Sequence, residues 1–193
     1  ISSTLKGLTI TPGVINKEGM GADSTSIETP SCVINVFWVA ISMYQASIPV
    51  FIRGLTSLAA ILAKAEKHAV AKKIDPSVFI NARLAPDMFA LARQVQIATD
   101  VVKGGAARLA AVEVPSFPDT EASFPELQAR IAKTIAFLNT ISQAQIDGSE
   151  ARAIQLKVGG QELSFQGLSY LLYFVVPNFY FHFLFQFLLV TLA

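Results

Sequence analysis

The stretch Asn81–Ala110, NARLAPDMFALARQVQIATDVVKGGAARLA, constrains the fold of this chain more than any other. Met88, Leu91, Val95, Ala98, Val102 and Leu109 recur at spacings of three, four and seven, which places them on one face of an α-helix. Arg93, Gln96, Asp100 and Lys103 fall on the opposite face. Pro86 and Asp87 suit a first helical turn, because proline has no N–H to lose there and a carboxylate meets the positive end of the helix dipole. A long amphipathic helix of this kind needs neighbours with matching apolar stripes, so a helical bundle is the economical fold.

The neighbours are legible. After Ser47-Ile48-Pro49, a helix start, the residues Phe51, Leu55, Leu58, Leu62, Ala65 and Ala69 form a stripe ending near Lys73, before the turn chemistry of Ile74-Asp75-Pro76-Ser77. A short helical turn is predicted over Ser77–Ala82. Val112–Thr120 carries Pro115 and Pro118 and reads as an extended connection. Ser123 and Glu126 have capping-box spacing, and Leu127, Ile131, Ile135, Leu138 and Ile141 make a third stripe. Beyond Asp147-Gly148-Ser149 the period changes. Ile154, Leu156 and Val158 alternate with polar residues, Gly159-Gly160 supplies a tight turn, and Leu163 and Phe165 alternate on the return, which predicts a β-hairpin. A last helix begins at Gly167–Ser169, with a kink predicted at Val176 because Pro177 follows. Leu91, Val95 and Val102 are expected to share an interior with Leu58, Leu62, Ile131, Leu138 and Tyr173. Gly104-Gly105 points to close packing or fraying at the end of the long helix.

Composition narrows the function. The 193 residues carry a net charge of +1 without a basic run, which speaks against nucleic acid as a partner. Cys32 is the single cysteine, so an internal disulfide and a multi-cysteine metal site are both excluded, and a reducing, cytoplasmic setting is the simpler expectation. From Leu163 to Ala193 no Asp, Glu, Lys or Arg occurs, and that length exceeds the roughly 20 residues of a membrane helix. A membrane-associated protein held by this segment is therefore an alternative. Pro177, Asn178, His182 and Gln186 interrupt the apolar run, and no basic cluster flanks it.

Three segments together resemble one family: MYQASIPVFIRGL at Met43–Leu55, NARLAPDMFALARQVQIA at Asn81–Ala98 and YLLYFVVPNFYFH at Tyr170–His182. They are similar to a bacterial and fungal domain-of-unknown-function family within the DinB/YfiT-like superfamily. The resemblance implies an all-α fold, a DinB-like up-down-down-up four-helix bundle with a small β-hairpin before the last helix. It assigns residues 43–193 to that domain and leaves 1–42 as an atypical N-terminal extension, expected to be poorly ordered. Both 1–42 and the ending FLFQFLLVTLA depart from the family pattern, and an imperfect gene model is the expectation for them.

The superfamily often binds a divalent metal through three histidines, one on the second helix and two at i, i+4 on the fourth. This chain has two histidines in all, so the triad is incomplete. His182 matches the first fourth-helix position. Gln186 stands where the second would be, and the second helix offers Gln94 and Gln96, whose amide oxygens are poor zinc ligands. The candidate ligand-binding set is Asp87, Gln94, Tyr173 and His182. Asp87 and His182 are the weak candidates for a metal, but no cofactor is expected. Asp87 is equally explained as a first-turn residue and Gln94 as a cross-bundle hydrogen bond. His68 suits the C-terminal end of the first helix, where an imidazolium meets the dipole. Tyr170, Tyr173 and Tyr180 are at helical spacing and read as core or as donors into a pocket.

Besides the membrane-attached alternative, two functions remain open, with enzyme status undecided. One is a bundle that binds a small molecule or a protein partner, as a monomer or a homodimer. The other is a metal-dependent, thiol-using transferase or hydrolase of the DinB/YfiT type, which would need zinc, nickel or iron.

Overall fold

The computed structural model describes residues 41–192, with side-chain surroundings as far as Gln186. The expectations for the N-terminal extension concern residues that, Ile41 and Ser42 apart, lie outside that range. Helix α1 spans Ile48–Lys72, and all six residues of its predicted stripe are buried. It stops because Lys73 turns left-handed at φ 58° and returns its N–H to the carbonyls of Ala69 and Val70. The short α2, Pro76–Ile80, is capped by Asp75, whose carboxylate accepts the Ser77 N–H at 2.8 Å.

Helix α3 runs from Leu91 to Ala110, so it starts later than the Pro86–Asp87 signal suggests. The intervening backbone is satisfied in another way. The Met88 N–H donates to Ala85 at 3.0 Å, Arg83 donates to the Met88 carbonyl at 2.8 Å, and the Leu91 N–H reaches back to Ala82 at 3.0 Å. A looped turn that already pairs these groups removes the drive to extend the helix. Of the predicted face, Leu91, Val95, Ala98, Val102 and Leu109 are buried. The opposite face is only partly solvated, through Arg93 and Asp100. Gln96 and Lys103 are buried too, because the connection after α3 folds back over that side and Glu121 accepts from Gln96 at 3.0 Å.

Helix α4 spans Phe124–Asn139 and buries Leu127, Ile131 and Leu138 together with Arg130 and Thr134. Glu126 binds the N–H of Ala122 at 2.7 Å, one residue earlier than the Ser123 backbone the capping box predicts. An unpredicted helical turn, α5 (Gln143–Ile146), follows, with Gln145 accepting the Ser142 N–H at 2.8 Å. The hairpin forms as read. β1 (Ala153–Val158) pairs antiparallel with β2 (Gln161–Gln166), Leu156 opposite Leu163, and both turn glycines take positive φ.

The chain then enters α6 (Gly167–Tyr170), a π-helical stretch (Leu171–Val175) and α7 (Val176–Leu192). Pro177 cannot donate into a continuous α-helical ladder, and the π winding directly ahead of it accommodates the break. Asn178 meanwhile donates its side-chain amide to the Phe174 carbonyl at 2.6 Å. Helix α3 packs against α7 and α4, and α1 packs against the same two helices, so the apolar stripes converge on one core. Where α3 crosses the π stretch a Cβ on Gly105 would lie 2.6 Å from Val175, so Gly105 serves close packing and the helix continues past it. Tyr173 departs from its predicted interior place and is 75% exposed, while Tyr170 is buried. Tyr173 falls on the side of the helix that also exposes Tyr180, and a segment apolar all round carries no polar face to mark which side turns outward.

Candidate functional site

Two polar clusters flank α3, one on each side. The first lies between α3 and α7. Gln94 occupies the first turn of α3, and its Nε2 donates to the Phe89 carbonyl at 3.4 Å. That leaves Gln94 Oε1 as an acceptor, and His182 Nδ1–H donates to it at 2.6 Å. The pairing assigns the proton to Nδ1 and leaves Nε2 with a lone pair. Burial pushes the His182 pKa below the ordinary histidine value, so the ring is held neutral. Gln186 stands one turn further along α7, on the same face. It is 0% exposed, and neither Oε1 nor Nε2 has a hydrogen-bond partner among the described residues. Leaving a buried polar group unpaired costs about 1–3 kcal/mol, which calls for an explanation.

The second cluster lies between α3, α4 and the connection at 112–123. Arg130 is buried, yet every part of its guanidinium is engaged. Nε donates to Thr99 at 2.8 Å, Nη1 to the Pro118 carbonyl at 3.0 Å and to Glu121 at 2.9 Å, and Nη2 to Asp100 at 2.9 Å. Asp119 lies 3.0 Å from Nη2 and also pairs with Arg93. Burial alone would lower the Arg130 pKa, but Glu121, Asp100 and Asp119 outweigh it and hold the charge firmly. Phe117 inserts between Lys103 and Lys133, with ammonium groups 4.0 and 4.1 Å from its ring. This cluster pins the connection to the helices, and its groups are satisfied.

Of the residues singled out from the sequence, Gln94 and His182 are in direct contact. Asp87 lies exposed in the turn before α3, and Tyr173 points to solvent from the π stretch. His68 is exposed with its ring edge-on to Phe79 at 6.2 Å. Sequence reasoning missed the Arg130 cluster. Its signal was present, since Arg130 and Thr134 share the helical face of Leu127, Ile131 and Leu138.

The three positions where the superfamily resemblance places metal ligands are thus Gln94, His182 and Gln186. They do not fit a divalent metal. Gln94 Oε1 is already engaged by His182, the remaining amide carries no charge, and a cation would meet one imidazole and no anion. Among the described residues no group of three or more His, Cys, Asp or Glu side chains gathers to hold a metal.

Residues 43–190 match the family model described as Domain of unknown function (DUF1993). The chain belongs to this family. Its match begins at Met43 and runs eight residues past His182, through most of the ending that the resemblance had set apart. The DUF1993 chain is also similar to a solved structure, a DinB family member protein from Shewanella denitrificans. The two are 36% identical, with a TM-score of 0.69, over 77% of this chain and 84% of that one. A search of the curated proteins returns no match. The chain is therefore mostly helical with a small antiparallel hairpin, and its fold is similar to that of the DinB family member.

Proposed function

We propose that this DUF1993 chain is an up-down-down-up four-helix bundle that binds a small molecule between α3 and α7 without a three-histidine metal centre. The observation that carries the reading is the neutral His182, oriented by Gln94 and followed one turn later by the buried, unpartnered amide of Gln186. An oriented lone pair one helical turn from an unsatisfied amide offers polar recognition within an otherwise apolar, uncharged helix. The transferase or hydrolase alternative would need a metal that these side chains are poorly suited to hold. Metal analysis of untagged protein tests the choice. Zinc, nickel or iron well below one equivalent is expected, and one tightly held equivalent released by His182→Ala would overturn the reading.

A second reading is favoured by a separate observation. Leu172, Tyr173, Tyr180, Phe181 and Leu184 are exposed along one uncharged helical segment, and Gly167–Gln186 is long and apolar enough to cross a membrane. Attachment to a membrane or to a second copy through this face is the alternative. Fractionation of cell extracts separates them, since a cytoplasmic protein stays in the supernatant and a membrane-attached one sediments until detergent is added.

A further inference from the structure

Gln186 allows the ligand's chemistry to be narrowed. Resting on the site proposed between α3 and α7, we infer that its ligand presents an uncharged planar group with a hydrogen-bond donor beside an acceptor: a primary carboxamide, a urea or the edge of a lactam.

The reasoning starts from the inventory of unpaired atoms. A glutamine amide offers an acceptor oxygen and a donor nitrogen side by side. Both atoms of Gln186 are fully buried and without partners among the described residues. A single group that satisfies both must place its own donor and acceptor at the same spacing, as another amide does. One turn earlier on the same face, His182 adds Nε2, an acceptor, because Nδ1–H is committed to Gln94. The receptor therefore has two acceptors and the Gln186 NH2 donors, and a ligand with at least one N–H complements it.

Charge argues against ions of either sign. No Asp, Glu, Lys or Arg occurs from Leu163 onward, so α7 supplies no counter-charge. The cations of α3 are committed elsewhere: Arg93 to Asp119 and Gln96, Lys103 to Asp100, and Arg108 to the Tyr170 hydroxyl. A carboxylate would turn its lone pairs toward the lone pair of His182 and bring a buried charge with nothing to balance it. A metal cation would find one free imidazole nitrogen among neutral amides. Size follows from exposure. His182 retains 9% of its surface and Gln186 none, so a ligand reaches the amide only by displacing the side chains that cover it. The leading end of the ligand is then a group of a few heavy atoms.

The test uses the full chain with acetamide and 2-pyrrolidinone as probes and acetate at neutral pH as the charged control. The expected result is a shift of the His182 ring resonances and a rise in Tm with either amide, with affinity at least about tenfold better than for acetate. Gln186→Leu, which keeps the bulk, should abolish the response. Equal binding of acetate, or an amide response that survives in Gln186→Leu, would overturn the ligand class. So would silence toward every probe from a folded protein. One equivalent of metal held through His182 is a different failure, because it removes the metal-free site on which the inference stands.

Discussion

The two sides of α3 treat buried polarity in opposite ways. Toward α4, Arg130 is enclosed, but Thr99, Pro118, Asp100, Asp119 and Glu121 satisfy it, and the carboxylates keep contact with water. Toward α7, His182 finds one partner in Gln94, and Gln186 finds none. A saturated cluster has nothing left to offer a ligand, whatever its charge, and its effect is to fix the connection over α3. An unsaturated one is destabilising until something fills it. The charges on the α4 side of α3 thus serve packing, and the proposed ligand site rests on the two neutral amides instead.

Substitutions on each side put that contrast at risk. Val95 sits on α3 between Gln94 and Gln96 and is fully buried, so Val95→Asp sets the scale. An unpaired carboxylate there should cost about 4 kcal/mol in a urea titration, and near-wild-type behaviour would show that the α3 face is assigned wrongly. Arg130→Ala comes next. Removing the partner of a buried ion cluster costs about 3–5 kcal/mol when its carboxylates are buried, but these are partly solvated, so about 2–3 kcal/mol is expected. The 112–123 connection should at the same time lose hydrogen-exchange protection. A loss below about 0.5 kcal/mol would mean that the cluster pins nothing.

On the α7 side the sign should reverse. Gln186→Leu replaces an unpaired amide by an apolar group of similar size, so ligand-free protein should gain up to about 1 kcal/mol. A clear loss would mean that the amide has a partner in the empty protein. The smallest effect is the pH dependence of His182. Burial lowers its folded pKa, so on acidification the unfolded chain takes up the proton first. Its contribution should be complete above about pH 6.5 and decline as pH falls below that value, with a slope of at most about 1.4 kcal/mol per pH unit. The stability difference between wild type and His182→Leu, followed from pH 8 to pH 5, isolates it. A difference that is flat with pH would show that the ring is not held neutral.

Periodicity made much of this fold readable because apolar burial leaves a regular mark. The stripe Phe51–Ala69, the face Leu91–Leu109 and the hairpin register around Gly159-Gly160 needed no knowledge beyond spacing. Three things escaped it. The start of α3 was misplaced since Pro86-Asp87 suits a turn as well as a helix, and Arg83 and Ala82 decide in favour of the turn through contacts that are not periodic. The partial covering of the polar face of α3 is not legible, since the covering connection is an irregular segment and nothing in Arg93, Gln96, Asp100 and Lys103 announces it. Tyr173 shares its face with Tyr180 and both are exposed, because in a helix apolar all round the spacing does not say which face turns inward. Of the candidate site, Gln94 and His182 could be named from their positions in the family pattern. That Gln186 would be enclosed with no partner depends on three-dimensional packing, so no spacing rule reveals it.

The π stretch at Leu171–Val175 has a consequence best stated as phase. Besides Tyr170, the buried positions along this last helical segment fall at Gly167, Leu171, Val175, Phe179, His182 and Gln186, with three four-residue steps before a three. In an unbroken α-helix the three steps from Gly167 to Phe179 would drift about 120° around the axis. The wider π turn holds one residue more, which takes up about 100° of that drift. Leu171–Val175 therefore works as a phase shifter between the part of the helix that follows the hairpin and the part that carries the site. Deleting any one residue within it would leave a helix free to form, with the same side chains in the same order. His182 and Gln186 would then swing about 100° away from Gln94. Whether His182 meets Gln94 is set as much by how many residues precede it as by which ones they are.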